Sequence, residues 1–209
     1  MQGDPGLRER KKRQTRQLIS DVASHLFITK GFDNVTVTEI AEAVNVSPKT
    51  VFNYFPRKED MFLDRLPEAL ALITGAVRDR EPDVEPLAAL RRLFVGLARE
   101  GHPLGGVGEG YGTFWRVVAG SPALLARIRE SIQETENVLA AALAEAVGAD
   151  PGDPWQKTTA ALVVTVYRTT YAESARRLIA GEPAAEVVED HIALLERGFD
   201  ALERAVGGR

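Results

Sequence analysis

Two short apolar stretches joined by a tight turn, set just behind a longer amphipathic stretch, constrain this chain more than any other feature. Residues 34–58 read NVTVTEIAEAVNVSPKTVFNYFPRK. Thr36 is placed to N-cap a helix, and Glu39 three residues on completes a capping-box pattern. That helix is expected to run to about Val44, with Val37, Ile40, Ala41 and Val44 on its inner side. Asn45 stands where a tight turn needs a left-handed residue. Ser47 then caps a second short helix with Pro48 at its first position, where a missing N–H costs nothing. Val51 and Phe55, four apart, face inward, and Pro56 ends the helix. A helix so short does not hold its shape alone. The brace is the preceding stretch, in which Leu18, Ile19, Val22, Ala23, Leu26 and Phe27 fall on one helical stripe. The pair is a helix-turn-helix, whose second helix fits the DNA major groove.

The remainder has helical rather than alternating periodicity and no convincing strand. Helices are expected over about 7–31, from Lys58 onward, then over 84–100, 111–119, 122–147, 154–180 and 184–206, separated by Gly/Pro-rich breaks. Pro67 should kink or split the helix that begins at Lys58. The expected fold is all-α: an N-terminal three-helix DNA-binding domain (1–60) with its basic arm, and a helical ligand-binding and dimerisation domain (61–209).

Composition narrows the function. The 209 residues include no cysteine and three histidines, His25, His102 and His191, with no H-x3-H spacing. Thiolate metal sites, disulfides and cysteine nucleophiles are thereby excluded. No acid/base pair or activated nucleophile is recognisable, so the expectation is a non-enzyme with no cofactor and no metal. There is no run of apolar residues long enough to span a bilayer and no signal-peptide pattern, which points to a cytoplasmic protein. The net charge is −4, an unpromising sum for a nucleic-acid binder, but its distribution is uneven. Residues 1–64 carry +1 and the rest −5, and residues 7–16 hold six basic side chains against one acid. Positive charge is gathered where DNA would be met.

The segment resembles the DNA-binding domain of the TetR family. The resemblance rests on Leu26-Phe27, Lys30-Gly31-Phe32, Thr36-Val37-Thr38-Glu39-Ile40-Ala41, Val46-Ser47, Thr50-Val51-Phe52-Asn53-Tyr54-Phe55 and Lys58-Glu59, all in one register over about the first 60 residues. It departs at Asn45, where glycine is commonest, and at Lys49, where a small residue is frequent. Pro48, Lys49 and Asn53 project from the start and outer face of the second helix toward base edges; lysine donates to guanine O6 and N7, and asparagine pairs with adenine N6 and N7. Thr36, Thr50, Tyr54 and Lys58 resemble family positions that hold phosphates. Arg8, Arg10, Lys11, Lys12, Arg13 and Arg16 form an arm for further phosphate or minor-groove contacts.

Beyond about residue 65 the resemblance fades. Phe94, Phe114, Trp115, Val118, Tyr167 and Tyr171 are candidates to line a cavity, with Arg116 and Arg168 as cations among apolar neighbours that need a partner if buried. This predicts a largely hydrophobic effector with one anionic end. The glycine-rich loop at 105–112 lacks the strand and the Gly-Lys-Ser/Thr of a nucleotide site and reads as a lid or connector. The last two helices, the second carrying Val187, Val188, Ile192, Leu194, Leu195, Phe199, Leu202 and Val206, are the expected homodimer interface. The resemblance thus implies a repressor that leaves a near-palindromic double-stranded operator when a small molecule binds. The rival from another class is a helical carrier or enzyme that keeps the N-terminal motif only as structure.

Overall fold

The computed structural model describes residues 6–206, which are helical with no strand among them. The α-helices in this range are α1 (Leu7–Lys30), α2 (Val37–Ala43), α3 (Pro48–Tyr54), α4 (Glu59–Phe62), α5 (Leu66–Arg78), α6 (Pro86–Arg99), α7 (Tyr111–Ala119), α8 (Pro122–Val147), α9 (Pro154–Ile179) and α10 (Ala184–Val206). They form two compact units. One comprises the chain up to Asp64 together with Val117–Leu125; the other comprises Arg65–Arg116 and the chain from Ala126 onward.

In the first unit, α1 buries Ile19, Ala23 and Phe27 completely, while Leu18, counted in the expected stripe, is 50% exposed and does not belong to the buried face. Phe27 meets Phe32 at 4.7 Å and the edge of Phe62 at 5.8 Å between ring centroids. Ile40, Val51, Phe55 and Met61 complete the core at no exposure. Removing each such side chain from water stabilises the unit by roughly 1.5–3 kcal/mol. A later segment joins them: Val118, Ser121 and Leu124 are buried, and the Ser121 hydroxyl donates to Asp33 Oδ1 at 2.9 Å.

The helix expected from Lys58 onward is split. α4 ends at Phe62, and α5 begins at Leu66 with Pro67 in its first two positions, where proline disturbs no intrahelical bond. The break therefore falls before the proline, and the boundary between the units lies in it.

In the second unit α10 packs on α9 and α6. Val77, Leu90, Phe94, Leu139, Val163, Leu195 and Phe199 lie in one buried cluster; a smaller one holds Ala98, Val107, Leu178 and Val187. Arg91 on α6 joins Glu196, Asp200 and Glu203 on α10. This packing corrects part of the expected dimer surface: Val187, Leu195, Phe199 and Leu202 are buried within their own chain. Along α9, in contrast, Thr158, Leu162, Thr165, Thr169 and Ala172 form an exposed uncharged row. The three threonine hydroxyls on it donate to carbonyls four residues back.

Candidate nucleic-acid interface

The helix pair is held by local bonds of the expected kind. Thr36 Oγ1 accepts from the Glu39 amide, and the Glu39 carboxylate accepts from the Thr36 amide and hydroxyl. Lys30 adds an ion pair to Glu39 at 3.2 Å. The Thr36 bonds and Lys30 hold the Glu39 carboxyl below its usual pKa. Asn45 takes the left-handed backbone at φ 55°, so the chain reverses between α2 and α3. Ser47 Oγ accepts from the Thr50 amide at 3.1 Å and lies 2.9 Å from the Thr50 hydroxyl.

With Val51 and Phe55 fully buried, the opposite side of α3 is fixed outward. Pro48, Lys49 and Asn53 are exposed there, while Thr50 and Tyr54 are half-buried. Phe52 lies on the same outward side and is 48% exposed. Sequence reasoning gave Phe52 no role; the available signal was its position, four residues from Pro48 and three from Lys49 on one helix face.

Two basic residues expected at the DNA surface are directed elsewhere. The Arg16 guanidinium donates to the carbonyls of Tyr54 at 2.9 Å and Asp64 at 3.2 Å and lies 4.0 Å from the centre of the Phe55 ring. It thus caps the C-terminal end of α3, where a cation meets free carbonyls and the negative end of the helix dipole. Lys58 donates to the Phe32 carbonyl at 2.5 Å and sits 4.2 Å from the Phe32 ring centre. Burial lowers its pKa, opposed by Asp33 and Glu59. Arg8, Arg10, Lys11, Lys12 and Arg13 are exposed, but they are part of α1 itself rather than of an arm preceding it.

The aromatic residues of the second unit converge on the glycine-rich loop. Tyr111 Oη donates to the Pro103 carbonyl at 2.5 Å, Tyr171 Oη to that of Leu104 at 2.9 Å and Trp115 Nε1 to that of Gly106 at 2.8 Å. Gly106 has φ 62°, and a Cβ there would lie 2.6 Å from the Tyr171 ring. The loop is therefore a strap pinned by three aromatic donors. Phe94 stacks on Tyr167 at 5.2 Å, and Tyr167 on Tyr171 at 4.2 Å. Phe114 meets the edge of Trp115 at 5.0 Å. Burial pushes the Tyr167 phenol up to about 12 and that of Tyr171 up as well, so both remain protonated.

Three expected lining residues do not join this group. Arg116 and Arg168 are exposed, because the helical turn that carries each presents it to solvent. Val118 is buried in the first unit. Sequence reasoning missed His191. It is fully buried on α10, with Nδ1 2.8 Å from the Ser174 hydroxyl and its ring 4.8 Å from that of Tyr171. Among the described residues no group of His, Asp and Glu side chains is placed to hold a metal ion, and no helix is long and apolar enough to cross a membrane.

Comparison with known proteins places both units. The family model described as bacterial regulatory proteins, tetR family, matches residues 19–64, and the model of the MftR C-terminal domain matches residues 113–205. The transcriptional regulator TcmR of Streptomyces glaucescens is 34% identical over 155 residues, spanning 73% of this chain and 69% of that protein. Among solved structures, one from Mesorhizobium loti described as a TetR-family regulator has a TM-score of 0.53 at 17% identity, covering 91% of this chain and 97% of the other. A transcriptional-regulator structure from Pseudomonas aeruginosa PAO1 also has a TM-score of 0.53, at 18% identity, covering 92% and 94%.

Proposed function

Because the chain belongs to the TetR family of bacterial regulatory proteins, we propose that this transcriptional regulator is a homodimeric repressor that leaves its operator when a small molecule enters the second unit. The carrier or enzyme reading is not favoured, since the helix-turn-helix keeps a presented outer face and not merely its fold. The observation that carries the proposal is the division of α3: Val51 and Phe55 are wholly buried while Lys49, Phe52 and Asn53 stand exposed. A seven-residue helix anchored in this way is a rigid probe. Lys49 and Asn53 supply donors for guanine and adenine edges, Phe52 an apolar face for a thymine methyl, and Pro48 close van der Waals contact. Thr36, Thr50 and Tyr54 hold phosphates and set register. The exposed cations of the first turns of α1 add to the phosphate attraction. Arg16 positions α3 from behind, and Lys58 ties the chain that follows α3 to the Phe32 carbonyl.

A two-fold dimer presents two such helices to a near-palindromic site. The uncharged row on α9 supports pairing through that helix, with the outer side of α10 beside it. Coupling between effector and operator has covalent routes available. α7 and α8 each have one end in the first unit and the rest in the second. A coupling of about 1–3 kcal/mol lowers operator affinity 5–150-fold.

The test is titration of the full-length protein with a fluorescent duplex from its own promoter region at several salt concentrations. Tight binding with a steep salt slope is expected. Weak binding that the triple variant Lys49→Ala, Phe52→Ala, Asn53→Ala leaves unchanged would overturn the proposal.

A further inference from the structure

His191 Nε2 is the one buried side-chain nitrogen or oxygen without a hydrogen-bond partner among the described residues. Burying such a group unpaired is unfavourable, and each instance calls for an explanation. The residue lies one turn from Val187 in the smaller apolar cluster and one turn from Leu195 in the larger, so it marks the seam between them. We propose that His191 is the polar anchor of an effector site for an uncharged aromatic molecule bearing a phenol or carbonyl oxygen, seated against Tyr167 and Tyr171 beneath the 103–106 strap. This deepens, and rests on, the effector reading given under Proposed function.

Three observations set the ligand class. The first is hydrogen-bond polarity. Ser174 occupies Nδ1, so if its hydroxyl donates there, Nε2 carries a proton and seeks a carbonyl; in the other tautomer Nε2 accepts and seeks a phenol. The second is charge. Burial pulls the histidine down to about 4, both tyrosines stay protonated, and Arg116 and Arg168 face solvent. Arg177, one turn along α9 from Ser174, is already held by Glu182 and Asp190, and an unpaired buried charge is strongly disfavoured. The third is shape. Phe94, Tyr167, Tyr171 and His191 form a continuous series of ring contacts from 4.2 to 5.2 Å. A planar ring inserted along it replaces ring contacts by ring contacts of the same kind.

The strap is the removable wall. It is held by the polar ends of Tyr111, Trp115 and Tyr171, and Gly106 lies against the Tyr171 ring with no room for a side chain. A ligand that displaces Tyr171 releases the strap at Leu104. Trp115 belongs to α7, whose last residues lie in the DNA-binding unit, so events at the strap bear directly on a helix shared with that unit.

The experiment is equilibrium dialysis of the full-length protein with 2-naphthol, naphthalene and 2-naphthoate at about pH 7.5, roughly one unit above the ordinary histidine pKa, together with thermal unfolding. The expected result is at least about tenfold tighter uptake of 2-naphthol than of either other probe. His191→Phe should erase the naphthol-over-naphthalene preference while its melting temperature holds or rises, because the variant removes an unpaired nitrogen. His191→Leu serves the same purpose if the phenylalanine variant does not fold. Equal uptake of naphthol and naphthalene, preference for naphthoate, no uptake of any probe, or a preference that survives both substitutions overturns the proposal. In the last case an ordered water or Ser174 alone accounts for the histidine. No DNA is present, so failure here leaves the operator-binding reading standing. Repeating the duplex titration with 2-naphthol present separates the two: selective uptake that leaves duplex affinity unchanged supports this site and counts against the release mechanism instead.

Discussion

Replacing Arg16 by alanine separates two roles that one basic residue near a DNA-binding motif can have. In the structure its guanidinium donates to the Tyr54 and Asp64 carbonyls and covers the Phe55 ring. Each partly exposed hydrogen bond from a cation contributes about 1 kcal/mol net, and the ring contact about 0.5–1 kcal/mol. The expected loss is therefore about 2–3 kcal/mol, concentrated where α3 meets its support. At 1.4 kcal/mol per factor of ten, amides in α3 should exchange with solvent roughly 30–150 times faster in the variant when exchange proceeds through local opening. Hydrogen–deuterium exchange with peptide resolution over residues 48–55 measures this directly, without DNA. A phosphate-contacting arginine would behave in the opposite way. Exchange in α3 would be unaltered, and the salt slope of duplex binding would become shallower by about one. That second pattern would refute the assignment of Arg16 as a brace.

Other consequences can be checked in parallel. Lys49→Ala and Asn53→Ala should each reduce discrimination at one base position by about 1–3 kcal/mol, read by competition between operator duplexes that differ at single base pairs. Ser47→Ala removes the cap of α3 and should lower stability by about 1 kcal/mol, measured by denaturant unfolding. His191 has a folded-state pKa pulled to about 4 from an ordinary 6.5, so the unfolded chain takes up its proton first. Stability should be full above about pH 6.5 and fall toward pH 4, and His191→Phe should remove that part of the dependence. Gly106→Ala introduces a Cβ against the Tyr171 ring at a left-handed position; a loss of about 1–3 kcal/mol is expected, visible in thermal unfolding followed by tryptophan fluorescence.

What could be read from the sequence was what local chemistry determines. The Thr36–Glu39 capping box, the left-handed Asn45 and the Ser47-Pro48 helix start are bonds and angles within four residues, and each appears as expected. The outward face of α3 followed from the inward spacing of Val51 and Phe55. The destinations of Arg16 and Lys58 were not legible, because their partners lie 38 and 26 residues away and a long cation carries no mark of which way it turns. Arg116 and Arg168 misled for a related reason: apolar neighbours along the chain do not decide which side of a helix is buried. His191 was hidden because a lone histidine in an apolar helix resembles any core residue until its second nitrogen is found without a partner. Residues 117–125 looked like an ordinary junction between two helices, and the long-range Ser121–Asp33 bond with the burial of Val118 and Leu124 reveals where they belong.

That bond sets a limit on cutting and grafting the protein. A fragment ending at residue 64 omits Leu124, which is wholly enclosed in the intact chain, and leaves Asp33 without its hydroxyl donor. Chimeras that exchange operator preference between relatives therefore need two crossover regions, one near residue 64 and one bracketing 117–125, so that the transplanted piece brings its own wedge.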